Sequence, residues 1–307
     1  MAEDKIRVLY YGDSPTACTG FGSVARELIL RLNETGKYEF FILGVNYYGE
    51  PHEFEGLLKI FPTSSDDPQG QTRIGPMLAH VQPNVLLTLH DYDDLDWFPT
   101  VYLDACRQVG RSIPWIWYTP VDGAPFQSRH AAVFRDLVTR CVTTSKYGQR
   151  LIQAAVPILD VPVVYHGVDC ATFMPMEREI REELRKGLGL EGKFVVLSVG
   201  VNQLRKQYGT LLEAFAVFRR GKEDDVRLCL HTDPLANYGY DIRAIAQSFG
   251  FADELVFTNP QAHPGGIYTD QMPFVYNLGD VAVFPHCGEG FGLCHLEAMA
   301  CGVPVIA

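Results

Sequence analysis

The feature that most constrains this chain is the alternation, almost from end to end, of short β-branched and aromatic runs with amphipathic stretches. In the first half the strand candidates are Ile6 to Tyr11, Tyr38 to Val45, Asn84 to Leu89, Pro114 to Tyr118, Arg140 to Thr144 and Val161 to Tyr165. Helix candidates lie between them at Ser23 to Asn33, Arg73 to Val81, Trp97 to Val109, Phe126 to Val138 and Ser145 to Ala155. In the first of these, Val24, Leu28 and Leu32 mark one apolar face. Strands nearly all apolar and separated by helices predict a doubly wound α/β architecture with a parallel sheet.

A second such series begins after a Gly/Pro-punctuated turn and a charged helix with a thin apolar face. It runs through FVVLSVG, VRLCLHT, ELVFT and DVAVFP, with intervening helices, to VPVIA. The predicted organisation is therefore a Rossmann-like domain at 1–170, a linker region at 171–192 and a second Rossmann-like domain at 193–307. The last strand is met without a covering helix, so the second domain is expected to be incomplete.

Composition closes off other classes. The chain has 307 residues, 47% of them apolar, which excludes a disulfide-stapled miniprotein and a disordered chain. A net charge of −11 makes nucleic acid an improbable partner, while a local basic cluster can still hold a phosphate. The acidic start MAEDK precedes only a short apolar run, unlike an export signal, and no stretch approaches the ~18 apolar residues that crossing a bilayer needs. A cytoplasmic location is expected, with peripheral membrane contact left open. The cysteines lie dispersed at 18, 106, 141, 170, 229, 287, 294 and 301, none in a CxxC pair, and read as reduced thiols. His286, Cys287, Cys294 and His295 could in principle hold zinc, but known zinc spacings are tighter, and no metal is expected. The acidic DYDDLD run, Asp91 to Asp96, reads as a solvated loop or helix cap rather than a metal site.

The most informative stretch is DVAVFPHCGEGFGLCHLEAMACGVPVIA, Asp280 to Ala307. An apolar strand ends at Pro285, a glycine-rich turn follows and a helix starts near Leu293. Amides at a helix N-terminus carry the positive end of the macrodipole, so an anion is expected there. Gly290 and Gly292 allow close backbone approach. Glu289 and Glu297, on either side of the turn, are acceptors suited to sugar hydroxyls, and their spacing suits a ligand with two polyol ends joined by phosphate.

This E-x7-E run followed by AMACGVPVIA resembles the signature of the family 4 retaining glycosyltransferases, which adopt the GT-B fold of two Rossmann-like domains facing a central cleft. YHGVDCATFMP, Tyr165 to Pro175, resembles the family's interdomain segment, with His166 where asparagine is usual. SVGVNQLRKQYGTLLEAF, Ser198 to Phe215, resembles the first strand, turn and helix of the C-terminal half, and TTSKYG, Thr143 to Gly148, the end of the N-terminal half. The resemblance implies that Glu289 touches hydroxyls of the donor sugar and Glu297 the ribose of the nucleotide, while the backbone of Gly290, Phe291, Gly292 and Leu293 holds sugar and phosphate. Arg205 and Lys206 would neutralise the diphosphate. The family often has Arg directly after the glycine of this loop, a position held here by Val201.

In the N-terminal half, Gly20 and Gly22 precede a helix, as in the family's glycine-rich loop near acceptor and diphosphate. GFGSVA also fits a dinucleotide fingerprint, but its first glycine is too far from the strand. Where the family often carries a histidine after a central strand, PWIWY runs into TPVDGAP, leaving Asp122 as one candidate and His90, in TLHDYDD, as the other. The implied reaction is hexosyl transfer from a nucleotide-diphosphate sugar to an acceptor hydroxyl, with retention and without cofactor or metal. A GT-B phosphorylase, a sugar-nucleotide epimerase and a non-catalytic nucleotide-sugar-binding fragment are the alternatives. Base, hexose, acceptor and oligomeric state are not legible.

Overall fold

The computed structural model describes residues 5–56, 58–235, 238–258 and 267–307. The acidic residues of the start, within 1–4, lie outside the described residues. The chain divides into two compact units, Met1–His166 and Gly167–Ala307. No helix among the described residues is long and apolar enough to cross a membrane.

The first unit follows the order β1 (Ile6–Asp13), α1 (Gly20–Glu34), β2 (Tyr38–Val45), β3 (His52–Phe54), β4 (Leu58–Pro62), α2 (Gln71–Val81) and β5 (Val85–Leu89). It continues with α3 (Phe98–Val109), β6 (Trp115–Thr119), α4 (Ser128–Asp136), β7 (Arg140–Thr143) and α5 (Lys146–Ala155). The sheet order is β3-β4-β2-β1-β5-β6-β7, parallel except for the β3–β4 pair. Its strands are buried on both faces. Leu9 and Tyr11 pack with Phe98, Trp115 and Trp117 on one side, and Tyr10 with Ala25, Ile29 and Ile42 on the other. Two-sided burial is why these strands read as continuous apolar runs rather than alternating ones.

Two elements depart from the sequence reading. The β3–β4 hairpin was not expected, and Val161 to Tyr165 joins the sheet only through a single bridge, Thr143 to Val163. Pro162 lacks the amide a ladder needs, which accounts for the second.

The second unit comprises α6 (Arg178–Gly187), β8 (Phe194–Val199), α7 (Tyr208–Phe218), β9 (Val226–His231), α8 (Ile242–Ser248), β10 (Leu255–Phe257), α9 (Met272–Tyr276), β11 (Val281–Val283), α10 (Leu293–Ala300) and β12 (Val305–Ile306). Its parallel sheet has the order β10-β9-β8-β11-β12. Residues 171–192 pack into this unit: Phe173 and Leu190 are buried with Leu197, Tyr276 and Phe284. Helix α6 is anchored by charge rather than by grease. Arg181 Nη2 lies 2.7 Å from Asp280 Oδ1 and Arg185 Nη2 3.0 Å from Asp280 Oδ2, and Asp280 also accepts from the Val195 amide at 2.8 Å. Burial opposes ionisation of Asp280, but the Arg185 and Arg181 bonds outweigh it and hold its pKa below the usual carboxylate value.

Candidate functional site

In each sheet the strand order reverses at one place, between β8 and β11 in the second unit and between β1 and β5 in the first. Loops leaving such a pair of parallel strands diverge to opposite faces, so a crevice opens at their carboxyl ends, where ligands bind in open α/β sheets. The predicted site residues lie at these two places, except Asp122, which follows β6.

In the second unit Val196 pairs with Val281, which brings the loop after β8 against the loop after β11. The first loop ends in a tight turn, Leu204–Lys206, and Gln207 takes a left-handed conformation with φ 53° that starts α7. The buried Tyr208 hydroxyl donates back to Gly200 O at 2.8 Å and fixes the strand-to-turn exit. Three contacts stitch the loops together. The Cys287 amide donates to Arg205 O at 2.9 Å, the Arg205 guanidinium donates to Gly288 O at 3.0 Å, and the Lys206 ammonium sits on Glu289 Oε1. Arg205 Nη1 is also 3.5 Å from Glu289 Oε2. Arg205, Lys206 and Glu289 are thus one cluster.

Glu289 has a further partner, absent from the predicted site: His286 Nδ1 lies 2.5 Å from Glu289 Oε1. The two atoms are in close contact, off the line of a well-formed hydrogen bond. Burial opposes the carboxylate's charge, yet His286 and Lys206 overcome it and hold the pKa at about 2. Lys206 is nearly enclosed, with a side chain 9% exposed, whereas Arg205 is 44% exposed.

The glycine-rich turn leads from Glu289 into α10. Gly292 has φ 91°, a left-handed conformation, and a Cβ there would come 2.9 Å from His295 Nδ1, so glycine is required. No side chain caps α10. Its first turn therefore presents backbone amides and the positive end of the helix dipole beside Lys206 and Arg205, an arrangement suited to an anion. One turn into the helix, Glu297 accepts a 2.5 Å hydrogen bond from the hydroxyl of the fully buried Tyr276. Burial raises the Glu297 pKa, and the Tyr276 bond only partly offsets it. Glu289 and Glu297 therefore differ sharply: one is pinned by cations, the other is enclosed beside a phenol.

In the first unit Gly12 of β1 pairs with Leu89 of β5, so the next residues, Asp13 and His90, stand side by side at the carboxyl ends. Both are 5% exposed. Asp13 accepts from the Thr19 hydroxyl and from Asn46 Nδ2 at 3.0 Å. Thr19 in turn caps α1 by accepting from the Gly22 amide at 2.9 Å. Burial raises the Asp13 pKa against the Thr19 bond and the His90 charge. The His90 ring is stacked between Tyr11 and Phe21, at 6.0 and 6.3 Å between centroids. Gly20 opens α1, and Gly22 is packed so tightly that a Cβ would meet Ala17 O at 2.4 Å. Asp122 follows β6 on an exposed loop. Asp13 was not among the predicted residues, because an aspartate between a strand and a loop is indistinguishable in sequence from a turn residue.

Comparison with known proteins bears on the fold and on the family pattern of the second unit. Residues 180–307 match the family model for group 1 glycosyl transferases. D-inositol 3-phosphate glycosyltransferase of Pseudarthrobacter chlorophenolicus is 32% identical over 143 residues, 46% of this chain and 32% of the relative. The GDP-mannose-dependent alpha-(1-6)-phosphatidylinositol monomannoside mannosyltransferase of Mycobacterium tuberculosis is 32% identical over 180 residues, 56% of this chain and 43% of that protein. The matches thus span less than half the length of these relatives. Among solved structures, Anabaena HepE in complex with UDP and glucose superposes with a TM-score of 0.71 at 16% identity, covering 98% of this chain and 80% of that one. WaaG, a glycosyltransferase involved in lipopolysaccharide biosynthesis, gives a TM-score of 0.71 at 14% identity, covering 98% and 80%. The chain has the GT-B fold, and its residues 180–307 carry the group 1 glycosyltransferase pattern.

Proposed function

We propose that this chain acts as a retaining glycosyltransferase, moving a hexosyl unit from a nucleotide-diphosphate sugar to an acceptor hydroxyl. The observation that carries the reading is the cluster of Lys206, Arg205 and Glu289 against the uncapped start of α10, at the switch point of the second unit. Cations and helix amides there suit a diphosphate. Carboxylates on either side of the turn suit the hydroxyls of sugar and ribose, Glu289 taking the hexose and Glu297 the ribose.

In the proposed reaction the bond between the anomeric carbon and the phosphate oxygen breaks as the acceptor oxygen bonds to the same face. The acceptor proton passes to the departing phosphate oxygen. Lys206, Arg205 and the amides of Gly290 to Leu293 stabilise the negative charge that grows on the leaving diphosphate, which lowers the barrier because those groups are already oriented. No side chain is called on as a covalent nucleophile, and no metal or cofactor is part of the proposal. In the first unit His90 and Asp122 are the proposed candidates to assist the transfer, and Gly20 and Gly22 belong to the proposed acceptor loop. A cytoplasmic location is the proposed setting, on the dispersed thiols, none of them in a CxxC pair.

The test is a panel of UDP-, GDP- and ADP-sugars assayed for nucleoside diphosphate release, with mass spectrometry of any acceptor product. Release coupled to a glycosylated product supports the transferase. Sugar phosphate formed from disaccharide and phosphate would replace it with a phosphorylase, and binding without turnover would replace it with a binding module.

A further inference from the structure

The cations that the proposed function assigns to the diphosphate are already engaged with Glu289. Once a diphosphate arrives, Lys206 has to transfer some or all of its contact to the phosphate, and Arg205, already the more distant and the more exposed, turns with it. Glu289 would then be a partly enclosed carboxylate, its side chain 23% exposed, that has lost its ammonium partner just when it must be aimed at a sugar hydroxyl. One partner cannot follow the phosphate. His286 is on the same turn as Glu289, its side chain is 3% exposed, and its ring packs against Phe284 at 5.5 Å and edge-on to His295 at 5.7 Å. A ring so enclosed has a fixed position, unlike the flexible ammonium of Lys206. Neither ring nitrogen has a well-formed hydrogen bond among the described residues, and Glu289 Oε1, 2.5 Å from Nδ1, is the acceptor at hand for the imidazole.

We propose that His286 is a positioning residue that holds Glu289 on the donor sugar when Lys206 moves to the diphosphate. The inference rests on the glycosyltransferase reading and adds a division of labour: an exchangeable cation for the phosphate, and a fixed imidazole for the carboxylate. His286 acts only through Glu289. Its removal should therefore weaken ligands that possess the sugar and spare those that lack it.

The experiment is titration calorimetry of the wild-type protein, His286→Ala and His286→Asn with two matched pairs, UDP-glucose against UDP and GDP-mannose against GDP. Asparagine places its amide nitrogen near the position of imidazole Nδ1. The alanine variant should bind the nucleotide sugar about tenfold more weakly, the low end of what a polar contact to a charged group is worth, while nucleoside diphosphate affinity stays within about twofold. The asparagine variant should recover most of the loss. If the alanine variant melts early, His286→Gln takes its place, since it keeps bulk but carries the amide away from Glu289, and it should fail to rescue. Equal losses for both members of a pair, unchanged sugar binding, or no recovery with asparagine would overturn the role of His286 alone. Wild-type protein that binds neither pair would instead overturn the nucleotide-sugar reading, and the inference with it.

Discussion

Replacing Lys206 by alanine tests the proposed chemistry at its most enclosed charge. Its side chain is 9% exposed and its ammonium is within direct contact of Glu289, at the mouth of the α10 amides. A cation about 4 Å from a phosphate oxygen, at an effective dielectric near 20, is worth about 4 kcal/mol. Arg205 stays beside the site and recovers part of that, leaving a loss of about 3 kcal/mol in transition-state stabilisation, or a rate lower by about 100-fold or more. The substitution also takes one cation from the partly enclosed Glu289, which keeps His286 and Arg205, so stability should fall by about 1–3 kcal/mol, less than the full cost of breaking a buried pair. Steady-state release of nucleoside diphosphate reads the first quantity and thermal melting the second. Lys206→Arg, which keeps the charge, should regain part of the rate. A purified, cooperatively melting Lys206→Ala protein that turns over within threefold of wild type would refute the assignment of this lysine to the leaving group.

Three further outcomes follow from the geometry. Asp280→Ala removes the acceptor that joins α6 to β8, leaving Arg185, 7% exposed, without its carboxylate; it should destabilise the second unit by about 3 kcal/mol. Because the Asp280 pKa is depressed, its contribution is complete above the ordinary carboxylate value of 3.8 and is lost as pH falls toward the lowered one, so melting curves of wild type and variant should converge in acid. Asp13→Asn should do the opposite. Burial raises the Asp13 pKa, so the ionised carboxylate costs stability at neutral pH and none below its unfolded pKa. The variant should melt higher than wild type at pH 7, with the gain shrinking at low pH, and a lower melting temperature at pH 7 would contradict this. Gly292→Ala forces a side chain into a left-handed residue and toward His295, and should cost about 1–3 kcal/mol and weaken nucleotide binding in calorimetry; unchanged affinity would show that the turn does not touch the ligand.

Much of this fold was legible because parallel strands buried on both faces leave unbroken apolar runs, and the helices between them keep one apolar stripe. Helix α1, read at Ser23 to Asn33, forms at Gly20–Glu34, and α5, read at Ser145 to Ala155, at Lys146–Ala155. The β3–β4 hairpin escaped because three residues of HEF carry too little alternation to register as a strand. Helix α6 looked like a charged connector because hydropathy does not see ion pairs, yet Arg181 and Arg185 fasten it to Asp280.

The site divides along the same line. The glycine turn from Glu289 to Leu293 and the Arg205–Lys206 pair stood out because close backbone approach and adjacent cations leave local marks. That the two meet follows from β8 lying next to β11, a fact of sheet order that no local pattern carries. Asp13 and His90 become neighbours for the same reason, across β1 and β5. His286 was noticed as a soft ligand near two cysteines, and its contact with Glu289 depends on how the turn between them folds back.

The most direct measurement is a crystal structure of the protein soaked with a nucleoside diphosphate sugar. The account predicts the diphosphate against the amides of Gly290 to Leu293, Lys206 in contact with a phosphate oxygen, Glu289 on the hexose and Glu297 on the ribose. A compound bound elsewhere with this turn unfilled, or Lys206 still paired to Glu289 with no phosphate near it, would contradict it.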